Sequence, residues 1–197
     1  EPWLIEEALD ALRARARADG FCEREVLHAD GSFDWKRLGD AAASLSLFSA
    51  RRLIELRLPG GRPGRDGAAA LREYADRPPE DTVLVVICGR LEPAQRKSAW
   101  AKALAAGGVM SYAWPLRREQ LPAWTLERAR QRRLMLDDAA IAVITERNEG
   151  NLLALAQEID KLALLADGDR VSAAEARDAV ADGARYAVFD LPEAVLA

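Results

Sequence analysis

The sequence predicts an α/β domain built on a parallel sheet, followed by a small all-helical domain. In the first part of the chain, short apolar runs that are typical of buried strands alternate with helical patterns. The connections between these runs are long enough for crossover helices, which favours parallel strands with helices on both faces of the sheet. From Arg117 onward only helical patterns follow, so we expect a domain boundary near Leu116.

The elements of the first domain follow from periodicity and from helix-ending residues. Residues 83–87 are five consecutive branched apolar residues, which predicts a strand buried on both faces. Residues 59–67 are rich in glycine and proline and predict a loop. The remaining predictions are helices at 2–19, 35–43, 68–77 and 91–106, and strands at 24–29, 53–58 and 109–114.

The second domain is predicted as four helices at 118–133, 137–149, 151–166 and 172–182. Asp137 is expected to cap the second of them, and Ser172 with Glu175 forms a capping-box pattern. We expect the tail from residue 186 to begin a further region. The chain opens without a methionine, directly in a helical pattern, so we expect it to be a fragment that lacks an N-terminal piece.

Composition limits the class of protein. The chain has 197 residues, a net charge of −4 and a pI near 5.2, which argues against a uniformly basic nucleic-acid binder. Cys22 and Cys88 are far apart, lack metal-ligand spacing and fit reduced thiols of a cytoplasmic protein. His28 is the only histidine and is expected at a strand edge, so a site with several histidine ligands is excluded. We expect no cofactor, no metal and no membrane partner.

A pair of large apolar residues, Leu47 and Phe48, lies between the predicted helix at 35–43 and the predicted strand at 53–58. Connections of this kind usually lie on the surface. The pair therefore either folds back to cover an edge of the core or contacts a partner molecule. Sequence pattern alone leaves both alternatives open.

Two other stretches invite a functional interpretation. The glycine-rich stretch at 60–67 follows a strand, but it has no Gly-Lys-Ser/Thr and does not match a phosphate-binding loop. The helix at 118–133 carries a basic patch in which Arg128 and Arg132 are candidates for contact with the DNA backbone. A solvated helix face is the alternative explanation of that patch.

Several motifs together make the whole chain resemble the delta subunit of the bacterial DNA polymerase III clamp loader. They are Ser-Leu-Phe at 46–48 before a strand, Gln-Leu-Pro at 120–122, Trp124, Leu-Asp-Asp-Ala at 136–139, and Asn-Leu-Leu-Ala-Leu-Ala-Gln at 151–157. The resemblance implies an AAA+ type module, similar to a P-loop NTPase, at 1–116 without its first strand and phosphate loop. It also implies a helical lid at 117–183 and the start of a collar domain at 184–197.

The resemblance assigns a role to the apolar pair. In the family a Leu-Phe wedge enters a hydrophobic pocket on the ring-shaped sliding clamp, the beta subunit, so Leu47 and Phe48 are expected to bind the clamp with Leu45 and Ser46 beside them. Related clamp-binding peptides often carry a glutamine where this chain has Ala43. The further partners implied are ATPase and delta-prime subunits, reached through the collar, and primed DNA within the complex.

The resemblance also suggests a subunit that hydrolyses nothing and favours opening of the ring. The predicted strand at 53–58 ends in Leu-Pro-Gly without the acidic pair of AAA+ ATPases, and Leu153 stands where their lids carry an arginine. Two alternatives stay open. One is a nucleotide-hydrolysing AAA+ enzyme whose phosphate loop precedes Glu1, and the other is a DNA-contacting module that uses the basic helix.

Overall fold

The computed structural model describes residues 1–43, 51–148, 150–166 and 168–178. These residues form two compact units. The sheet unit comprises Ile5–Tyr112, and the helical unit comprises Glu1–Leu4 together with the chain from Ala113 onward. No helix among the described residues is long and apolar enough to cross a membrane.

The sheet unit contains three parallel strands in the order β1-β2-β3, with β2 in the centre. Its elements, in chain order, are α1 (Pro2–Ala18), which begins in the helical unit, β1 (Glu23–His28), α2 (Lys36–Ala43), β2 (Arg52–Leu58), α3 (Gly64–Asp76), β3 (Thr82–Cys88), α4 (Pro93–Arg96) and α5 (Ala99–Gly107). The predicted parallel α/β arrangement is therefore confirmed. His28 lies exposed at the end of β1, as expected.

Helices cover both faces of β2, which also agrees with the prediction. Alternate side chains of a strand point to opposite faces. On one face Ile54 and Leu56 lie in a core that α2, α3 and α5 complete through Leu38, Leu71 and Trp100. On the other face Glu55 meets Arg13 of α1.

The prediction of a strand at 109–114 was wrong. These residues lie in no strand or helix, and Val109 is 97% exposed. Among the described residues β3 is an edge strand of the sheet, and residues 109–114 do not pair with its outer edge. For the same reason β3 is half-buried along its whole length, although its continuous apolar sequence predicted burial on both faces.

The glycine-rich stretch is only partly a loop, because α3 begins at Gly64. Asp66 lies in the first turn of this helix, where a negative charge interacts favourably with the helix dipole. Gly67 is buried against the ring of Trp35, and a side chain at this position would collide with that ring. The glycine therefore serves close packing between α3 and the residues before α2, which composition alone does not reveal.

The helix predicted at 91–106 is broken into α4 and α5. Glu92 and Gln95 form a capping box at the start of α4, and the Ser98 hydroxyl donates to the Gln95 carbonyl oxygen at 2.6 Å. Ser98 itself has the extended backbone of a residue that precedes a helix. Local side-chain hydrogen bonds of this kind compete with a continuous helix.

The helical unit is mostly helical, as predicted, but two short strands were missed. Met135 and Leu136 pair in parallel with Arg170 and Val171. Strands of two residues are too short to leave a periodic pattern. The elements are a 3₁₀ turn (Arg118–Gln120), α6 (Leu121–Gln131), β4 (Met135–Leu136), α7 (Asp138–Arg147), α8 (Leu152–Leu165), β5 (Arg170–Val171) and helical residues 173–178.

The predicted caps of the helical unit are confirmed. Asp137 accepts a hydrogen bond from the Ala140 amide at 2.6 Å. Ser172 and Glu175 form the reciprocal capping pair, with the Ser172 amide 2.7 Å from the Glu175 carboxylate. The core of this unit is apolar and is contributed mainly by Leu121, Ile144, Leu155 and Ile159.

Candidate functional site

The residues predicted to bind the clamp, Leu45, Ser46, Leu47 and Phe48, lie outside the described residues. We call residues 44–50 the clamp-binding segment after the role that the resemblance predicts for them, and that role stays a prediction. The structure describes the residues on either side of this segment. They are the last turn of α2, which ends at Ala43, and Arg51 followed by the first residue of β2, Arg52.

Arg52 connects the two ends of the segment directly. Its side chain is only 9% exposed, and its Nη1 donates to the backbone carbonyl oxygen of Ala41 in α2. Its Nη2 lies 3.0 Å from a carboxylate oxygen of Glu23 in β1. The backbone amide of Arg52 also donates to the Asp81 carbonyl oxygen at 2.8 Å. One residue therefore fixes the end of α2, the start of β2 and the start of β1 relative to each other.

Arg51, the residue before β2, is also held in place, by contacts with residues that follow α1. Its Nη1 donates to the carbonyl oxygen of Asp19 at 2.8 Å, and its guanidinium lies 5.4 Å from the centre of the Phe21 ring. A cation over an aromatic face is attracted by the ring quadrupole. The residues that follow α1 thus hold Arg51, the first described residue after the segment.

A buried ion cluster lies in the middle of β2. The Glu55 side chain is fully buried and accepts two hydrogen bonds from Arg13, at 2.7 and 2.8 Å, and two from Arg24, at 2.6 and 3.0 Å. Arg13, and after it Arg24, lower the pKa of Glu55 to about 2. The cluster joins α1, β1 and β2, and its charges are neutralised within the unit. Its role is therefore structural, since it holds these three elements together.

The positions where the resemblance places the groups of an ATPase carry other residues. After β2 the chain turns through Pro59, Gly60 and Gly61, with the Gly61 amide 2.9 Å from the Leu58 carbonyl oxygen. Leu153, where the resemblance puts a nucleotide-contacting arginine, is about half exposed in the first turn of α8. Among the described residues, no three His, Cys, Asp or Glu side chains are arranged to hold a metal ion.

The two free thiols are not placed as a reactive pair. Cys22 is exposed and Cys88 is half-buried at the end of β3. Burial raises the pKa of the Cys88 thiol to about 11, so this thiol is protonated at neutral pH.

The predicted DNA-contacting arginines lie close together and bind within the helical unit. Arg132 makes two hydrogen bonds to the Asp160 carboxylate, at 2.6 and 3.1 Å, and Arg128 lies 3.6 Å from the same carboxylate. Arg128 also stacks 5.5 Å from the centre of the Trp3 ring. A contact with DNA through these two residues stays a prediction, while the exposed Arg130 and Arg133 lie on the same stretch.

Comparison with known proteins decides the family. The family model described as "DNA polymerase III, delta subunit" matches residues 1–112. The chain belongs to the DNA polymerase III delta subunit family. The DNA polymerase III subunit delta of Escherichia coli (strain K12) is 35% identical over 196 residues, covering 100% of this chain and 57% of that protein.

Two further matches agree with this delta subunit assignment. The DNA polymerase III subunit delta of Haemophilus influenzae is 27% identical, over 84% of this chain and 48% of that protein. The solved structure of the Bacillus subtilis DNA clamp loader delta protein superposes with a TM-score of 0.68 at 19% identity, covering 90% of this chain and 55% of that one, which supports the fold. The chain spans about half the length of the curated delta subunits that it matches.

Sequence reasoning missed the ion pairs of Arg52 and Glu55, which join the elements of the sheet unit. Both lie in a strand that was predicted from its leucines and isoleucine. A charged residue inside such an apolar run was the available signal, because a buried charge requires a partner of opposite charge or several hydrogen bonds. The partners themselves come from distant parts of the chain and left no local pattern.

Proposed function

We propose that this delta-family protein is the clamp-binding subunit of a replicative clamp loader, and that it contacts the ring-shaped sliding clamp through Leu47 and Phe48, flanked by Leu45 and Ser46. Family membership carries this proposal. The described residues on either side of the segment support it further, because Arg51 and Arg52 hydrogen-bond to Asp19 and to Ala41 in the sheet unit.

The apolar pair can supply the central contact of such an interface. Burying a leucine and a phenylalanine side chain stabilises a complex by about 1.5–3 kcal/mol each. Interfaces concentrate much of their binding energy in a few such anchors. The chain has Ala43 where related clamp-binding peptides often have glutamine, so the apolar pair contributes a larger share of the affinity.

The mechanism is differential binding to two states of the ring. A protein that binds the open or strained ring more tightly than the closed ring shifts the ring towards opening, and it needs no hydrolysis to do so. The absence of acidic residues after β2 and the presence of Leu153 in α8 support a subunit without ATPase chemistry of its own. ATP turnover then belongs to partner ATPase subunits.

The proposed assembly follows the domain expectation. Residues 1–116 form the AAA+ type module, residues 117–183 the lid, and residues 184–197 the beginning of a collar. The collar joins the protein to the ATPase and delta-prime subunits, and the assembled loader places the clamp on primed DNA. Since the chain spans about half of its relatives, these partners belong to the intact protein.

The test is a double substitution in the intact protein, Leu47→Ala with Phe48→Ala. We expect clamp affinity, measured on immobilised clamp by surface plasmon resonance, to fall by about 100-fold or more, because two anchors are lost. Circular dichroism should be unchanged.

The matched control is Leu164→Ala with Leu165→Ala. It also removes two large exposed apolar side chains, which are 86% and 64% exposed in the helical unit. We expect this control to bind the clamp like the unsubstituted protein. Unchanged clamp affinity in the Leu47/Phe48 variant would overturn the proposed function.

A further inference from the structure

The end of helix α6 has a backbone conformation that favours glycine but carries an arginine. Arg133 has a φ of 61°, the only positive φ of a non-glycine residue in the described part of the chain. Its amide donates to the Arg130 carbonyl oxygen, and the Leu134 amide donates to the Ala129 carbonyl oxygen, both at 2.9 Å. These two hydrogen bonds form a Schellman motif, in which glycine is the usual residue at the position of Arg133. An L residue there has a backbone strain that glycine avoids.

The contacts of Arg133 with other described residues do not explain an arginine at this position. Its side chain is exposed and forms no ion pair with a described residue. The preceding residue, Arg132, binds Asp160 instead. Strained backbone positions concentrate at functional sites, where the side chain is needed for something other than the fold. The position therefore indicates a role for the Arg133 guanidinium outside the chain.

Two further exposed arginines and an exposed methionine lie next to Arg133 along the backbone. Arg130 lies one turn earlier in α6, and its side chain is 66% exposed. Met135 of β4 follows Arg133 by two residues and pairs with Arg170 of β5. Paired residues point to the same face of a sheet, and the next pair is buried, so Met135 and Arg170 face solvent together. We call these four residues the arginine-methionine surface.

The cations of this surface are only partly balanced by carboxylates. Glu127 lies 4.0 Å from Arg130, and both side chains are exposed, so this pair is weak. Asp169 is exposed beside Arg170, but neither Arg133 nor Arg170 forms an ion pair with a described residue. Exposed guanidinium groups of this kind are complementary to a negatively charged partner.

The composition of the surface favours a protein partner over a nucleic acid. Arginine and methionine are both enriched in protein interfaces, whereas lysine, which this surface lacks, is depleted there. The flexible thioether of Met135, which is 47% exposed, can pack against an apolar side chain of varied shape. Phosphate backbones are attracted mainly by excess positive charge, and the chain as a whole carries a net charge of −4.

We propose that the arginine-methionine surface binds an acidic segment of a partner protein. Carboxylates of the segment pair with the guanidinium groups of Arg130, Arg133 and Arg170, and an apolar side chain between those carboxylates packs on Met135. Arginine binds a carboxylate through two parallel hydrogen bonds, which fixes the orientation of the segment. This interaction lies beyond the proposed clamp-binding role and does not involve residues 44–50.

The experiment measures binding of a fluorescein-labelled peptide, in which two aspartates flank a leucine on each side, to the intact protein by fluorescence anisotropy. We expect Arg133→Gly to weaken peptide binding about tenfold, because one charged contact is lost. The same variant should raise the Tm by about 2 °C, because glycine relieves the backbone strain. A gain in stability combined with a loss of affinity cannot result from unfolding.

Arg118→Ala is the matched control, because it also removes an exposed arginine but lies before α6, at the end opposite Arg133. At about 150 mM salt, where distant charges are screened, it should change peptide affinity by less than about twofold. Arg133→Asn also suits a left-handed backbone and replaces the glycine variant if that variant does not fold. A peptide with asparagines in place of the aspartates should bind at least about tenfold more weakly.

Three results would overturn the inference: no binding of the acidic peptide to the unsubstituted protein, equal affinity in the Arg133→Gly variant, or a lower Tm of that variant. A fourth would be tighter binding of a DNA oligonucleotide of equal charge that depends on Arg133, because it would assign the surface to nucleic acid. Clamp affinity should be the same in the Arg133→Gly variant and the unsubstituted protein, so the two proposals fail independently.

Discussion

At the scale of single residues, Glu55 has the most demanding environment in the described chain. It lies opposite Val26 and Val85 in the centre of the sheet, where a carboxylate without partners would be costly. Arg13 and Arg24 each donate a bidentate pair of hydrogen bonds to its carboxylate. Removal of Glu55 would take away the only carboxylate among the described residues that hydrogen-bonds to both cations.

We expect Glu55→Gln to lower the free energy of unfolding by about 3 kcal/mol at neutral pH, the lower end of the range for a broken buried pair, because Arg24 is partly exposed. The pKa of Glu55 is lowered on folding, to about 2. Its contribution is therefore fully present above the unfolded pKa of about 4.3 and lost as the pH falls through about 2. Urea denaturation at pH 7 and at pH values from 5 to 2 measures both effects.

Asp10→Asn is the matched control. Asp10 also binds Arg13, at 2.7 Å, but its side chain is 74% exposed. Exposed pairs contribute about 0.2–1 kcal/mol, so this variant should differ little from the unsubstituted protein. Equal losses of stability in the two variants, or a Glu55→Gln loss that persists unchanged at pH 2, would show that the buried cluster is not the source of stability.

At the scale of elements, the sequence predicted those features that depend on near neighbours in the chain. The caps at Asp137 and at Ser172 involve residues three positions away and were found from the sequence. The break before α5 depends on side-chain competition at Ser98, and the close packing of Gly67 depends on the distant Trp35 ring. Propensity alone does not contain these contacts, which is why the prediction failed there.

The start of α8 offers a test at this scale. The Asn151 side chain accepts a hydrogen bond from the Ala154 amide at 3.1 Å. Asn151→Ala should cost about 1 kcal/mol of stability, because an amide at the helix start loses its acceptor. Gln157→Ala, on an exposed position of the same helix, is expected to stay within about 0.5 kcal/mol of the unsubstituted protein. Urea denaturation compares the two, and an equal effect would exclude a capping role.

At the scale of the whole molecule, the family match extends over residues 1–112. The resemblance gave the family and the prediction that Leu47 and Phe48 bind the clamp, since a linker pair of this kind more often covers an edge of the core. The contacts of Arg51 and Arg52 with the rest of the sheet unit could be seen only in the folded chain. Their partners Asp19, Glu23 and Ala41 lie 11 or more positions away in the sequence.

The intact purified protein by itself should release phosphate from ATP no faster than the buffer background. The positions that need acids and an arginine carry Pro59, Gly60 and Leu153. Without these groups little remains to stabilise the transition state of phosphoryl transfer. A phosphate-release assay measures this, with the reconstituted loader containing its ATPase subunits as the positive control. Turnover by the isolated protein above background would favour the nucleotide-hydrolysing alternative.

The order in which the residues of the buried cluster occur along the chain has a consequence for folding during synthesis on the ribosome. Both cations, Arg13 and Arg24, are translated before Glu55, the carboxylate that binds them together. A nascent chain that ends before Glu55 lacks the carboxylate that hydrogen-bonds to both cations. We therefore expect α1 and β1 to dock only after β2 has left the exit tunnel, so that this half of the protein folds as one late event.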